Sequence, residues 1–152
     1  MALTTAELAL CGQAHAMCAC ERLRRAARGV TQLYDAALAS SGLKVTQLPI
    51  LVGLAIAGPL PITALADALG LDRTTLTRNA GVLEQRGLGA IVEHDDDARM
   101  RMLSLTPQGS SVLSAALERW SAVHEQVQAR FGSERLQALY AELEALSAAV
   151  AD

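Results

Sequence analysis

Pro61-Ile62-Thr63-Ala64-Leu65-Ala66-Asp67-Ala68-Leu69-Gly70-Leu71, followed at once by Asp72-Arg73-Thr74-Thr75-Leu76-Thr77-Arg78-Asn79, is the stretch whose reading decides the fold. The first run predicts a short helix that stops at Gly70, and Pro61 suits its first turn, where a missing N–H costs nothing. The second run opens a new helix with Asp72 as N-cap, its carboxylate accepting backbone N–H bonds and complementing the helix dipole. That helix continues through Val82 and Leu83 and closes at Gly87. Helix, short turn, helix is the helix-turn-helix arrangement, whose second helix enters the major groove of DNA. A strand, an acidic turn with two arginines (95–101) and a second strand follow, as the wing of a winged variant would.

Working outward, the chain has 152 residues, enough for one domain with a real core. It is 51% apolar but only 3% aromatic, a mixture rich in Ala and Leu that favours helices. There is no signal peptide and no apolar run long enough to cross a bilayer, so a cytoplasmic protein with no membrane partner is expected. A net charge of -3 excludes a diffuse polycationic DNA binder, though not a local basic surface. Residues 72–101 hold five arginines against six acids. Affinity for DNA would therefore come from placed arginines rather than from bulk charge.

Toward the N-terminus, Cys20, Leu23, Ala27, Val30, Tyr34 and Ala37 alternate spacings of three and four, one apolar helical face that Ser40-Ser41-Gly42 ends. Thr46 is the expected cap of a next helix through Leu48, Leu51 and Leu54 to Ala57, broken by Gly58-Pro59. Beyond the hairpin, Thr106 caps a long helix with the stripe Leu113, Leu117, Trp120, Val123 or His124, Val127 and Phe131. Gly132-Ser133 interrupts it, and Leu136, Leu139, Tyr140, Leu143, Leu146 and Val150 mark a last amphipathic helix. Apolar stripes at both ends exceed what so small a central unit can cover. A two-fold homodimer is the default closed assembly, with a monomeric helical bundle as the bland alternative.

Four runs together resemble the MarR family of bacterial transcriptional regulators: 72–78, Leu83-Glu84-Gln85-Arg86-Gly87-Leu88, the turn Asp95-Asp96-Asp97-Ala98-Arg99, and Leu103-Ser104-Leu105-Thr106-Pro107-Gln108-Gly109. Each is weak alone; in this order they are specific, and the resemblance covers the chain from about Val30 onward. It implies a mainly α fold with a small β-hairpin wing. Residues 46–105 would form the winged helix-turn-helix of a single MarR-like chain (1–152), and 5–42 and 106–151 the dimerisation helices. It also implies a repressor that leaves a palindromic operator when a small molecule binds or a thiol is oxidised. Two departures stand out. Gly81 lies inside the reading helix, where glycine costs helix stability, and Gly89-Ala90 replaces residues that are often charged in the family.

Early positions of the second helix face base edges in helix-turn-helix proteins. Thr74, Thr75 and Thr77 suit phosphates or a thymine methyl, Arg78 and Asn79 carry the bidentate groups that discriminate guanine and adenine, and Arg73 is expected among the DNA-binding residues with them. In the wing, Arg99 and Arg101 alternate with Met100 and Met102 and so share one side of the hairpin. An arginine at such a tip enters a narrow minor groove, where negative potential is enhanced. The family resemblance assigns Asp97 the role of fixing Arg99. The bland reading of both sets is a solvated helix face and a polar turn. Arg22, Arg24, Arg25 and Arg28 read as a solvated basic segment.

All three cysteines, Cys11, Cys18 and Cys20, fall within ten residues, with His15 among them. Clustered thiols in a cytosolic chain point to redox or metal chemistry rather than a structural disulfide. On one straight helix Cys11 and Cys18 lie two turns apart, too far to share an ion. Cys18 and Cys20 point to the same side only if the chain is extended there. The expected ligands are soft ions such as Cu(I), Zn(II) or arsenite, held by thiolates of Cys18, Cys20 and Cys11. The alternative for Cys20 is a small core residue in phase with Leu23 and Ala27. No phosphate-cradling glycine loop, nucleophile elbow or HExxH zinc motif appears, so no enzyme is expected. A thiol-reactive protein, or a helical interaction module that does not bind DNA, is the competing class of function.

Overall fold

A computed structural model describes residues 2–94 and 97–151, without the side chains of 93, 94 and 97–99. Its contacts divide the chain into two units, Met1–Leu33 and Tyr34–Asp152, each described by itself.

The N-terminal unit holds α1 (Thr5–Met17) and the greater part of α2 (Ala19–Leu38). A full capping box starts α1: the Thr4 hydroxyl accepts from Glu7 N, and the Glu7 carboxylate accepts from Thr4 N at 2.7 Å. Those bonds, with the Thr4 hydroxyl foremost after the backbone, hold the Glu7 carboxyl below its usual range. The helix ends at Cys18, whose extended backbone (φ -67°, ψ 107°) separates α1 from α2. The Arg22 guanidinium turns back across this break and donates through Nε to the Ala16 carbonyl at 3.1 Å, satisfying an orphan acceptor at the end of α1. No residue of α1 is buried within the chain.

The second unit is built around the helix-turn-helix. After the end of α2 come a 3-10 turn (Ala39–Ser41), α3 (Leu48–Ala57), β1 (Leu60–Pro61), α4 (Ile62–Ala68), α5 (Arg73–Gln85), β2 (Gly89–His94), β3 (Asp97–Leu105), α6 (Pro107–Phe131) and α7 (Ser133–Val150). Thr46 is not the cap of α3. Gln47 holds that position, and its buried side chain accepts from Lys44 N at 3.1 Å, closing the preceding turn instead. The turn is anchored to α2 by Asp35, which accepts from Val45 N at 2.7 Å and meets Lys44 Nζ at 3.4 Å.

Leu51, Leu54, Leu65, Leu76, Ala80, Leu83, Leu88 and Leu103 form one buried cluster with Leu113 and Ala116 of α6. The three helices of the motif, the sheet and the start of α6 thus share a single core, the condition for a small unit to hold its shape. The sheet has the order β1-β3-β2, with β2 and β3 antiparallel and Ile91 opposite Leu103. The two-residue strand β1 lies on the other edge of β3, Leu60 opposite Leu103, and sequence reading had no place for it. The turn residues Asp95 and Asp96 lie outside the described residues.

Thr106 caps α6 as the sequence indicates. Its hydroxyl accepts from Gly109 N (2.9 Å) and donates to the Gly87 carbonyl (2.6 Å), while Thr106 N donates to the Leu88 carbonyl (3.2 Å). One residue therefore caps the long helix and fastens it to the turn that closes α5. Gly109 permits the approach: a Cβ there would lie 1.9 Å from the Leu88 carbonyl oxygen. Further along, Tyr34 Oη and His124 Nδ1 are 3.1 Å apart, and the His124 ring stacks on Trp120. Burial, with the nearby Tyr140 adding to it, raises the Tyr34 hydroxyl above its usual pKa.

Candidate nucleic-acid interface

The turn between α4 and α5 sets the angle at which α5 stands out. Gly70 takes a left-handed conformation (φ 60°), and Leu71 N reaches back to the Ala66 carbonyl at 2.9 Å, a bond pattern that ends helices sharply. Asp72 then caps α5 as expected, accepting from Thr75 N at 2.8 Å and from the Thr75 hydroxyl at 2.5 Å. The hydroxyl bond first, then the backbone bonds and the charge of Arg78, holds the Asp72 carboxyl below its usual range. It is ionised at neutral pH, its charge facing the positive end of the helix.

Leu76, Ala80 and Leu83 bury one face of α5. Thr74, Arg78, Gly81 and Gln85, at spacings of four, three and four, make the opposite face. Thr74, Arg78 and Gln85 are exposed, as are Arg73 and Thr77 at the helix start. The nominated residues fall into two groups. Arg73, Thr74, Thr77 and Arg78 project outward with no described bond to the rest of the chain. Thr75 and Asn79 are half-buried and committed to the helix itself, Thr75 to the cap and Asn79 donating to the Thr75 carbonyl at 3.0 Å. Gln85 was missed, although its spacing from Arg78 and Gly81 places it on the outward face.

The hairpin is fixed to α5 from the side. Glu84 Oε1 accepts from Ile91 N at 3.2 Å, joining the last turns of the helix to β2. Arg86, just past the helix end, donates to the Gly42 carbonyl at 2.8 Å. In β3, Arg101 is exposed and lies opposite Glu93, and Asp97 lies opposite His94. Period-two alternation puts Arg101 on the side of the strand that carries Leu103 and Leu105 nearer the core, with Met100 and Met102 on the other; the side chain of Arg99 lies outside the described residues. A pairing of Asp97 with Arg99 lies outside the described side chains.

Residues 41–100 match the family model described as MarR family. The solved structures agree. The M. tuberculosis transcriptional regulator MosR, in complex with DNA, is 37% identical and superposes with a TM-score of 0.77, over 88% of this chain and 99% of that one. The chain belongs to the MarR family of transcriptional regulators. A probable transcriptional regulator from Pseudomonas aeruginosa is 28% identical (TM-score 0.73, 82% of this chain and 92% of that one). PcaV of Streptomyces coelicolor, solved with its natural ligand, shares the fold over the whole of both chains at 22% identity and a TM-score of 0.79. No curated protein matches the sequence.

As a MarR-family chain, it carries its cysteines outside the matched region. All three thiols are free and exposed, so Cys20 is not the small core residue that its phase with Leu23 and Ala27 allowed. The break at Cys18 ends the straight helix that would have kept Cys11 and Cys18 in line. Cys18 and Cys20 line a shallow cleft of about 260 Å3 with Glu21, Arg24 and Arg28. Among the described residues no three His, Cys, Asp or Glu side chains are grouped to hold a metal ion. No helix among them is long and apolar enough to cross a membrane.

Proposed function

We propose that this chain is a homodimeric repressor that reads a palindromic operator with the outward face of α5 and is released by a signal at its N-terminal thiols. The outward face of α5 carries the first part of the reading. It bears an uncommitted arginine, Arg78, at its centre and threonines at its start, while the opposite face is locked into the core. Arg78 is the residue suited to bidentate hydrogen bonds with a guanine edge, and Arg73, Thr74 and Thr77 are suited to neighbouring phosphates. Arg99 and Arg101 of β3 are assigned to the minor groove alongside.

Dimerisation is supported by what α7 leaves uncovered. Leu136 is buried, yet Leu139, Tyr140, Leu143 and Leu146 are each 36–40% exposed, and α1 buries nothing at all. Thirteen residues of helix with no buried face gain too little to persist alone in water, so a second copy is the natural cover. The signal is assigned to Cys18 and Cys20 because both thiols are exposed at a helix break and border a cleft with two arginines. A thiolate there is accessible to oxidants, arsenite or a soft metal ion.

Selection from random DNA with the purified protein tests the reading. Two inverted half-sites about one helical turn apart are expected, with affinity that falls steeply as salt rises. Arg78→Ala should cost roughly 1–3 kcal/mol on the selected site and relax preference at one base pair. Absence of sequence-selective binding would sink the reading and favour a helical interaction module. The signal is tested on the same site by titrating the reduced protein with peroxide, arsenite, copper, zinc and simple phenolics. A variant with all three cysteines changed to Ser should stay bound through the thiol-directed reagents. If it responds to every reagent as wild type does, a non-covalent ligand is the signal.

A further inference from the structure

Glycine inside a helix needs a reason, because it loses more conformational freedom on folding than any other residue. In most places here the chain supplies one. Gly42, Gly58, Gly70, Gly87 and Gly132 have positive φ. A Cβ at Gly53, Gly89 or Gly109 would press within 3.1 Å of a neighbouring atom. Gly81 has neither excuse. Its φ is not positive, and a Cβ built on it meets nothing within 4 Å. Gly12 and Gly29 are equally unconstrained, but they belong to α1 and α2 and not to the reading helix. Gly81 alone of these stands in α5, on the outward face, four residues before Gln85 and three after Arg78.

We propose that Gly81 is the point where the backbone of α5 comes closest to the DNA, kept free of a side chain so that the helix can seat deeply in the major groove. The inference rests on the reading of α5 as the recognition helix and adds a specificity determinant to it. Every other position on that face carries a side chain that keeps the helix axis at a distance. With hydrogen in place of Cβ, base edges or their substituents can meet the helix at Gly81 while Arg78 and Gln85 straddle the contact. The close approach lengthens the reach of Arg78 into the groove, so Gly81 acts on base discrimination through depth rather than through a hydrogen bond.

The experiment compares wild type, Gly81→Ala, Gly81→Ser, Gly81→Val and Arg78→Ala on the selected operator and on unrelated DNA, with thermal unfolding of each. Gly81→Ala should melt at or above the wild-type temperature, because alanine favours the helix and nothing obstructs its methyl. It should nevertheless bind the operator at least tenfold more weakly. Binding to unrelated DNA should stay within twofold of wild type, since no charge has changed. Affinity should fall with side-chain volume, Val below Ala and Ser. A glycine kept for helix flexibility predicts a different order, with Ala, the strongest helix former, the most damaging; that order would overturn the proposal. Operator binding by Gly81→Ala within twofold of wild type, while Arg78→Ala is weakened, would overturn it and leave the DNA-binding reading intact. If Arg78→Ala also binds as wild type does, α5 is not the reading helix and both fall.

Discussion

Gly109→Ala should be among the most damaging single-methyl changes in the chain, and the structure gives its size. The added Cβ would sit 1.9 Å from the Leu88 carbonyl oxygen and 2.9 Å from a Leu105 methyl. Ordinary contact begins near 3.4 Å, so the start of α6 and the turn after α5 must separate by about 1.5 Å. Gly109 is buried, and its obstacle is backbone rather than a flexible side chain. Separation of that size takes both Thr106 bonds beyond reach, the hydroxyl to Gly87 and the N–H to Leu88. Two hydrogen bonds at about 1 kcal/mol each, with overpacking of about 1–2 kcal/mol, give a loss of about 3–4 kcal/mol. For a chain of this length that is a fall in Tm of roughly 5–15 °C. The assay is thermal and urea unfolding at one fixed protein concentration, because a dimer's stability depends on concentration. Gly81→Ala is the control: the same methyl, in open space, should gain about 0.5–1 kcal/mol. A Gly109→Ala protein within 0.5 kcal/mol of wild type would refute the close approach of α6 to the α5–β2 turn.

Tyr34, whose hydroxyl burial holds above the ordinary value, should titrate above the usual tyrosine range in the ultraviolet difference spectrum. Its folded pKa exceeds the unfolded one, so its contribution to stability is complete below about pH 10 and lost as pH rises through the folded value. Tyr34→Phe should remove that late step, and a wild-type spectrum without a step above the usual tyrosine range would refute the burial. Deleting residues 133–152 removes the half-exposed Leu139, Leu143 and Leu146; light scattering should then find monomers or aggregates and tight operator binding should vanish, whereas a folded dimer would contradict the assignment. Arg99→Ala should weaken binding across sequences and reduce any preference for narrow A·T-rich minor groove, as read by mobility shift; unchanged binding would remove the wing from the interface.

Much of this architecture is written locally. Asp72 and Thr106 are recognisable as caps because a short oxygen-bearing side chain before an apolar-periodic run has one favourable use there. Gly70, Gly87 and Gly132 mark element ends because the backbone turns left-handed at them. The core face of α5 follows from the spacing of Leu76, Ala80 and Leu83, and with it the outward position of Arg78. Where sequence and structure part, two alternatives were locally equivalent and distant contacts chose between them. Thr46 is the cap that residue type predicts for α3, yet Gln47 stands at that position, its side chain buried and closing the turn from Lys44. Thr75 and Asn79 belong to the same polar run as Arg78, but the cap and the i-4 carbonyl engage them. Leu60 and Pro61 became a strand only because β3 lay beside them. The requirement for glycine at position 109 exists only once the Leu88 carbonyl is brought against it from 21 residues away. Capping and periodicity act within a turn or two of helix and are legible in the chain. Hydrogen-bond commitment and close approach depend on which surfaces meet, and the fold alone decides them.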